Sequence, residues 1–137
     1  MFIPKKVKYR KSHRGDQIKG LATRKLSLSF GTFGLKSLEA GWITSRQLEA
    51  ARRSITGSFQ RKGKLWIRIF PDKSVTVKGN EIRMGGGKGA VDHYVAPIKP
   101  GTVMFEVDGV TEAQARAALR LAAFKLPVKT TFLSATR

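Results

Sequence analysis

A glycine-rich segment with adjacent cations is the place in the sequence where residue types most suggest chemistry. Four of the five residues 85–89 are glycine, and the cations Arg83 and Lys88 lie before and within the run. Glycine has no Cβ, so backbone N–H groups there can approach an anion closely. A nucleotide phosphate loop needs Gly-x-x-x-x-Gly-Lys followed by Ser or Thr, because that hydroxyl ligates magnesium. Since Gly89 follows Lys88, we expect a loop facing the phosphates of a folded RNA, with a loose hairpin as the alternative.

The remaining residue types do not suggest catalysis or a bound metal. The chain has no cysteine, which excludes disulfides, thiolate metal sites and a cysteine nucleophile. Two histidines, His13 and His93, leave little for a zinc site or a histidine-based catalytic site. Asp92 precedes His93, but neighbours on a strand point to opposite faces, so we do not expect them to act together. The sequence predicts no enzyme, no cofactor and no metal site.

Positive charge is concentrated in the first two thirds of the chain. The 137 residues include 27 Lys and Arg against 9 Asp and Glu, a net charge of +18. Residues 1–88 carry 21 basic and 5 acidic residues, and residues 89–137 carry 6 and 4, so the two parts have net charges of +16 and +2. Such an excess repels itself unless a polyanion neutralises it, which favours a nucleic-acid docking surface. The length predicts one domain, 1–137, and no apolar run approaches the roughly 20 residues that span a bilayer, so we expect no membrane partner.

Residues 1–25 are predicted to form an extended basic arm. Gly15 and Gly20 interrupt any helix, and Tyr9 is placed among the cations, where its ring could stack on an exposed base. A solvated terminus and a nuclear-import patch are the alternatives that the same composition allows. The arm cations that we expect to contact phosphates are Lys5, Lys6, Lys8, Arg10, Lys11 and Arg14.

Two segments carry the start signals of helices. A Thr-x-x-Gln capping box begins at Thr44 and again at Thr111, predicting helices over 44–60 and 111–126. Both fit Thr-x-x-Gln-x-x-Ala-Ala-x-Arg, which indicates either internal duplication or only shared capping. We expect RNA contact from the basic residues of the first helix and of the block after it, and expect Arg116 and Arg120 of the second helix to face solvent. The contacting residues are Arg52, Arg53, Arg61, Lys62 and Lys64.

Short alternating segments predict strands at residues 26–30, 65–70, 74–77, 93–96, 103–107 and 128–133. Strands with two helices among and after them, joined by short connections, indicate an α+β fold. We expect a two-layer sandwich of a mainly antiparallel sheet with two principal helices, a basic N-terminal arm and a mobile Gly-rich loop at 79–90.

Five blocks of the sequence resemble one family over essentially the whole chain. They are residues 8–15, 29–36, 49–53, 61–71 and 83–89, and the last two, RKGKLWIRIFP and RMGGGKG, are highly specific. In this order they resemble the family of the sixteenth protein of the bacterial large ribosomal subunit, which has archaeal and eukaryotic counterparts. The sequence departs from the family in having Ser74 and Gly79 where proline is common, and Tyr94 in place of the usual tryptophan or phenylalanine.

The resemblance implies a structural constituent of the large ribosomal subunit, which binds large-subunit ribosomal RNA. It also implies that the protein helps to position aminoacyl-transfer RNA in the A site near the peptidyl-transfer region, beside neighbouring large-subunit proteins. The implied location is the ribosome, in the cytoplasm or in an organelle. The resemblance assigns RNA contact in the arm to Lys8, Arg10, Lys11, His13 and Arg14, and in the loop to Arg83, Met84, Gly85 and Lys88. It also implies that Gly86, Gly87 and Gly89 belong to the same loop, close to ribosomal RNA or transfer RNA.

Overall fold

The computed structural model describes residues 2–15, 18–81 and 83–135, and within these it contains two helices and seven strands. Met1, Asp16 and Gln17 of the predicted arm and Ile82 of the predicted loop lie outside the described residues. In chain order the elements are β1 (Phe33–Ser37), β2 (Gly41–Thr44), α1 (Ser45–Ser58), β3 (Lys64–Ile67), β4 (Lys73–Val77), β5 (Ala90–Ile98), β6 (Val103–Asp108), α2 (Glu112–Ala123) and β7 (Thr130–Ser134).

The strands form two antiparallel sheets, which confirms the α+β fold. One sheet has the order β3-β6-β1-β7 and the other has the order β2-β5-β4. α2 packs on β1 and β7 of the larger sheet, and α1 packs on β2 and β5 of the smaller sheet. Leu35 and Phe105 of the larger sheet share a buried cluster with Leu48 of α1 and Leu119 of α2. The smaller sheet adds Ile98 to the same cluster. One core therefore joins both helices to strands of both sheets.

Both helices begin where the capping boxes predict. The Thr44 hydroxyl accepts the Gln47 N–H at 3.1 Å while the Gln47 side chain accepts the Thr44 N–H at 2.9 Å. Thr111 and Gln114 repeat this exchange at 3.2 and 3.1 Å. Each box satisfies backbone donors that the first helical turn leaves unpaired. The helices end two to three residues earlier than the apolar periodicity indicates.

The strand predicted at residues 26–30 is wrong. This part of the chain, which we call the crossing segment (residues 26–31), passes over the face of the larger sheet opposite the helices. A Cβ on Gly34 of β1 would lie 2.4 Å from the Leu28 side chain, so the segment touches the sheet there. Its backbone donors bond to the Glu106 side chain of β6 instead of to a neighbouring strand. The alternation in residues 26–30 therefore reflects packing on a sheet face.

A β-bulge overturns the expectation that Asp92 and His93 point to opposite faces. Val75 of β4 is opposite His93, whereas Thr76 is opposite Val91, so Asp92 is an extra residue in β5. A bulge disrupts the alternation of side chains. His93 Nδ1 consequently lies 2.7 Å from the Asp92 carboxylate at the surface.

Candidate nucleic-acid interface

The structure brings the basic arm and the glycine loop together, although the two are some 70 residues apart in sequence. The Lys11 ammonium donates to the backbone oxygen of Lys88 at 2.9 Å, and the Lys88 ammonium donates to the backbone oxygen of Ser12. Lys73 of β4 donates to the backbone oxygen of Arg14 at 2.6 Å. We call the surface formed by residues 5–14 and 83–89 the arm–loop surface.

The arm is attached to the body of the protein as well as to the loop. Phe2 packs against the core, and the Ala22 N–H donates to the backbone oxygen of Pro100 at 2.9 Å. Between these points Lys8 lies 5.6 Å from the centre of the Tyr9 ring, which is exposed. The predicted contact residues Lys5, Lys6, Lys8, Arg10, His13 and Arg14 are all exposed.

A cavity of about 320 Å³ lies where the arm meets β4 and the loop. Arg14, Lys73 and Lys88 line it together with the Trp42 ring. The Lys73 ammonium lies 4.8 Å from the centre of that ring, which is a cation–π contact. The cavity therefore combines three cations with a flat aromatic surface.

The tip of the glycine loop stands clear of the rest of the protein. Gly85, Gly86 and Gly87 have φ values of +95°, +76° and +99°, which residues with a side chain rarely adopt. A Cβ at any of these three positions would meet nothing within 4 Å. Met84 is 97% exposed. From the base of the loop, the Lys78 ammonium reaches the backbone oxygen of Gly85 and donates to it at 2.7 Å. Backbone conformation, rather than lack of space, explains these glycines.

A second basic surface lies at the end of α1, where a strained turn presents cations. The Gln60 N–H bonds to Gly57 O at 3.1 Å and the Arg61 N–H bonds to Thr56 O at 2.9 Å, the pattern of a Schellman motif. Gln60 and Arg61 have φ values of +52° and +64°, a conformation that costs about 1–2 kcal/mol per residue. The turn borders a cavity of about 590 Å³, which we call the basic cleft. Its basic lining residues are Arg52, Arg53, Arg61, Lys62 and Lys64.

Glu49 orients two arginines of the basic cleft, a role that was not predicted from the sequence. Its carboxylate accepts from Arg52 at 2.5 and 3.0 Å and from Arg53 at 3.1 Å. The bonds from Arg52, followed by those from Arg53, outweigh burial and lower the pKa of Glu49 from 4.5 to about 2, and the same contact raises the pKa of Arg52. The spacing of three and four residues on a helix is the signal that would have indicated both pairs.

The arginines of α2 are exposed, as expected. Arg116 pairs with Glu112 at 3.1 Å and lies 4.3 Å from the centre of the Phe132 ring. Arg120 lies 6.0 Å from the centre of the Phe124 ring.

The described residues contain no cluster of His, Asp and Glu that could hold a metal ion. Among the same residues, no helix has the length and apolarity to cross a membrane. The cations of the arm–loop surface and of the basic cleft are instead suited to an extended polyanion, since phosphate oxygens are the natural acceptors of exposed Lys and Arg.

Comparisons with known proteins agree with this geometry. Residues 4–133 match the family described as ribosomal protein L16p/L10e. The chain is 59% identical over 133 residues to large ribosomal subunit protein uL16c of Thalassiosira pseudonana, covering 97% of this chain and 96% of the relative. It is 54% identical over 135 residues to uL16c of Physcomitrium patens, covering 98% of this chain and 97% of the relative. It is 55% identical over 133 residues to uL16c of Zygnema circumcarinatum, covering 97% of this chain and 94% of the relative.

These matches confirm the resemblance stated from the five sequence blocks. They also confirm that the protein has a structural, non-enzymatic role in translation and that its location is the ribosome, with ribosomal RNA and other ribosomal proteins as partners. The chain belongs to the ribosomal protein L16p/L10e family, as a constituent of the large ribosomal subunit.

Proposed function

We propose that the chain binds large-subunit ribosomal RNA through two surfaces, the arm–loop surface and the basic cleft, and that the loop tip faces aminoacyl-transfer RNA. The observation that carries the proposal is a pair of hydrogen bonds between arm and loop, from the Lys11 ammonium to the Lys88 carbonyl and from the Lys88 ammonium to the Ser12 carbonyl. These bonds put arm and loop cations on one surface. Because the acceptors are backbone carbonyls, these bonds leave the positive charges uncancelled. The phosphates of the bound RNA supply the negative charge that balances these lysines.

The basic cleft contributes to this proposal through its shape as well as its charge. The strained turn at Gln60 and Arg61 directs cations into a concave surface, and backbone strain of this kind often marks a functional site. Glu49 reduces the net charge of the α1 arginines but fixes their position. Prepositioned guanidinium groups lose less side-chain entropy when they bind a phosphate, which increases affinity.

A single-charge comparison tests the ribosomal RNA contact. Lys62 lines the cleft and Lys125 lies after α2, in the part of the chain with little net charge; both are exposed. Replacing either lysine with alanine removes one charge, but we expect only Lys62→Ala to reduce the slope of log affinity against log salt. One lost phosphate contact lowers that slope by about 0.7–0.9. If the two variants bind large-subunit ribosomal RNA with equal slopes of log affinity against log salt, the cleft is not part of the interface.

The contact with transfer RNA requires a separate experiment, because it concerns the loop tip alone. Arg83 is exposed beside Met84 and the left-handed glycines, so Arg83→Ala should leave folding unchanged. In large subunits reconstituted with this variant, we expect normal incorporation of the protein but weaker binding of aminoacyl-transfer RNA in the A site. Unchanged A-site binding together with normal incorporation would contradict the proposed role of the tip and leave the ribosomal RNA contact standing.

A further inference from the structure

Phe30 is exposed above the outer face of the larger sheet, and its ring contacts two side chains at the sheet edge. The centres of the Phe30 and Trp66 rings are 6.1 Å apart, with 19° between the ring planes. The guanidinium carbon of Arg68 lies 5.2 Å from the centre of the Phe30 ring. In spite of these contacts, Phe30 is 58% exposed. A stacked aromatic ring therefore presents a large apolar surface to solvent.

A buried carboxylate fixes the backbone that carries this ring. One Glu106 oxygen accepts the N–H groups of Ser29, Phe30 and Gly31 at 2.7, 2.9 and 3.1 Å. The other oxygen pairs with Arg68 at 2.5 Å, and Glu106 is fully buried. The same carboxylate thus holds both the Phe30 backbone and the guanidinium beside the ring. The ring is preorganised, so a ligand that stacks on it loses little entropy by ordering it.

The charge around the ring indicates what the ligand is. Lys64 precedes Trp66 by two residues, so the two side chains share a face of β3 about 6.6 Å apart along the strand. Lys64 also lines the basic cleft, which makes the aromatic surface continuous with the proposed RNA interface. Unpaired RNA bases stack on exposed aromatic rings while cations hold the adjacent phosphates.

We propose that Phe30, supported by Trp66 and Arg68, is a stacking platform for an unpaired base of the RNA that lies in the basic cleft. This inference rests on the RNA binding proposed above and adds to it a site that reads a base rather than a phosphate. The platform tolerates different bases, because every base has a π-face.

The test uses the full chain and large-subunit ribosomal RNA, with affinity measured across a series of salt concentrations. Phe30→Leu removes the ring and no charge, so we expect an affinity about 5- to 100-fold lower at every salt concentration with an unchanged salt slope. Phe30→Tyr keeps a ring and should bind as the unmodified chain does. Phe124→Leu is the matched control, because Phe124 is 71% exposed but lies beside α2, and it should have no effect.

Ultraviolet cross-linking of the unmodified chain in assembled large subunits gives a readout that does not depend on any variant's folding. We expect a nucleotide adduct on the peptide that contains Phe30. Several results would overturn the platform: equal affinity for Phe30→Leu and the unmodified chain, a changed salt slope, failure of Phe30→Tyr to restore binding, or a cross-link from Phe30 to another protein. Failure of the unmodified chain to bind ribosomal RNA would instead refute the proposed function itself.

Discussion

Replacing Glu106 with glutamine tests whether its buried carboxylate holds the crossing segment on the sheet. Burial alone would raise the pKa of Glu106, but the N–H groups of Gly31 and Phe30, the Arg68 guanidinium and the Ser29 N–H outweigh it and lower the pKa below 4.5. The group is therefore ionised at neutral pH. Glutamine has nearly the same shape, so the variant changes the charge while preserving the packing.

The expected loss of stability follows from the partners that glutamine cannot satisfy. Its amide oxygen can still accept the three N–H groups, but its NH₂ group and the Arg68 guanidinium are both donors. Arg68 is only 14% exposed and would keep just a 3.5 Å contact to the Ser27 backbone oxygen, so its charge would be left largely buried without an ionic partner, which costs about 3–5 kcal/mol. For 137 residues the entropy of unfolding is about 0.29 kcal/mol/K, so the melting temperature should fall by about 10–17 °C.

Thermal unfolding at neutral pH, monitored by circular dichroism, measures the difference in melting temperature between the unmodified protein and Glu106→Gln. Glu112→Gln is the matched control, because Glu112 pairs with Arg116 at 3.1 Å but both are more than half exposed, and exposed pairs contribute at most about 1 kcal/mol. The lowered pKa of Glu106 means that its contribution is present above pH 4.5 and is lost as the pH falls through the folded-state pKa. The difference in melting temperature between the unmodified protein and Glu106→Gln should therefore become smaller at acidic pH. A melting temperature for Glu106→Gln within 3 °C of the unmodified protein would refute the reasoning.

Three further changes test other parts of the structure. Gly34→Ala places a Cβ 2.4 Å from the Leu28 side chain and 2.8 Å from the Phe105 backbone oxygen, so we expect a loss of about 1–3 kcal/mol in urea unfolding, and wild-type stability would contradict these close approaches. Lys88→Ala removes the bond to the Ser12 carbonyl, so limited proteolysis should cut the arm faster at an almost unchanged melting temperature, whereas unaltered cleavage would mean that the bond does not hold the arm. Glu49 has a pKa lowered from 4.5 to about 2, so its contribution to the free energy of unfolding is complete above pH 4.5 and is lost towards pH 2. The stability of Glu49→Gln should therefore depend less on pH in this range, and identical profiles of stability against pH would contradict the arginine pairing.

The sequence predicted the features that depend on nearby residues. Each capping box joins residues three apart, so Thr44 and Thr111 could be identified as helix starts without knowledge of the rest of the fold. The loop could be located from its glycines, because a run of glycines stabilises neither a helix nor a strand. The contact between Glu49 and its arginines was equally local and was missed because only the cations were considered.

Features that depend on distant contacts were not predictable. Leu26, Leu28 and Phe30 alternate with polar residues, as in a strand, but the same alternation suits a segment that packs one side on a sheet. Glu106 has its backbone partners 75–77 residues away, and no spacing in the sequence indicates them. β1 was missed because Gly34 weakens the strand signal, and that glycine is needed because the Leu28 side chain and the Phe105 backbone oxygen both lie so close.

The distribution of acceptors explains how a chain with a charge of +18 can be both folded and attractive to RNA. A high net charge destabilises a compact state by self-repulsion, and carboxylates that cancel it also weaken phosphate binding. The largely buried Arg68 has a fully buried carboxylate partner, Glu106, where an unpaired charge would be most costly. In the arm–loop surface Lys11 and Lys88 donate to backbone carbonyls, as Lys73 of β4 does beside it, and these bonds fix the lysines without removing their charge. Neutralisation is thus present at Arg68, where the fold requires it, and the lysines that donate to carbonyls keep the field that attracts RNA.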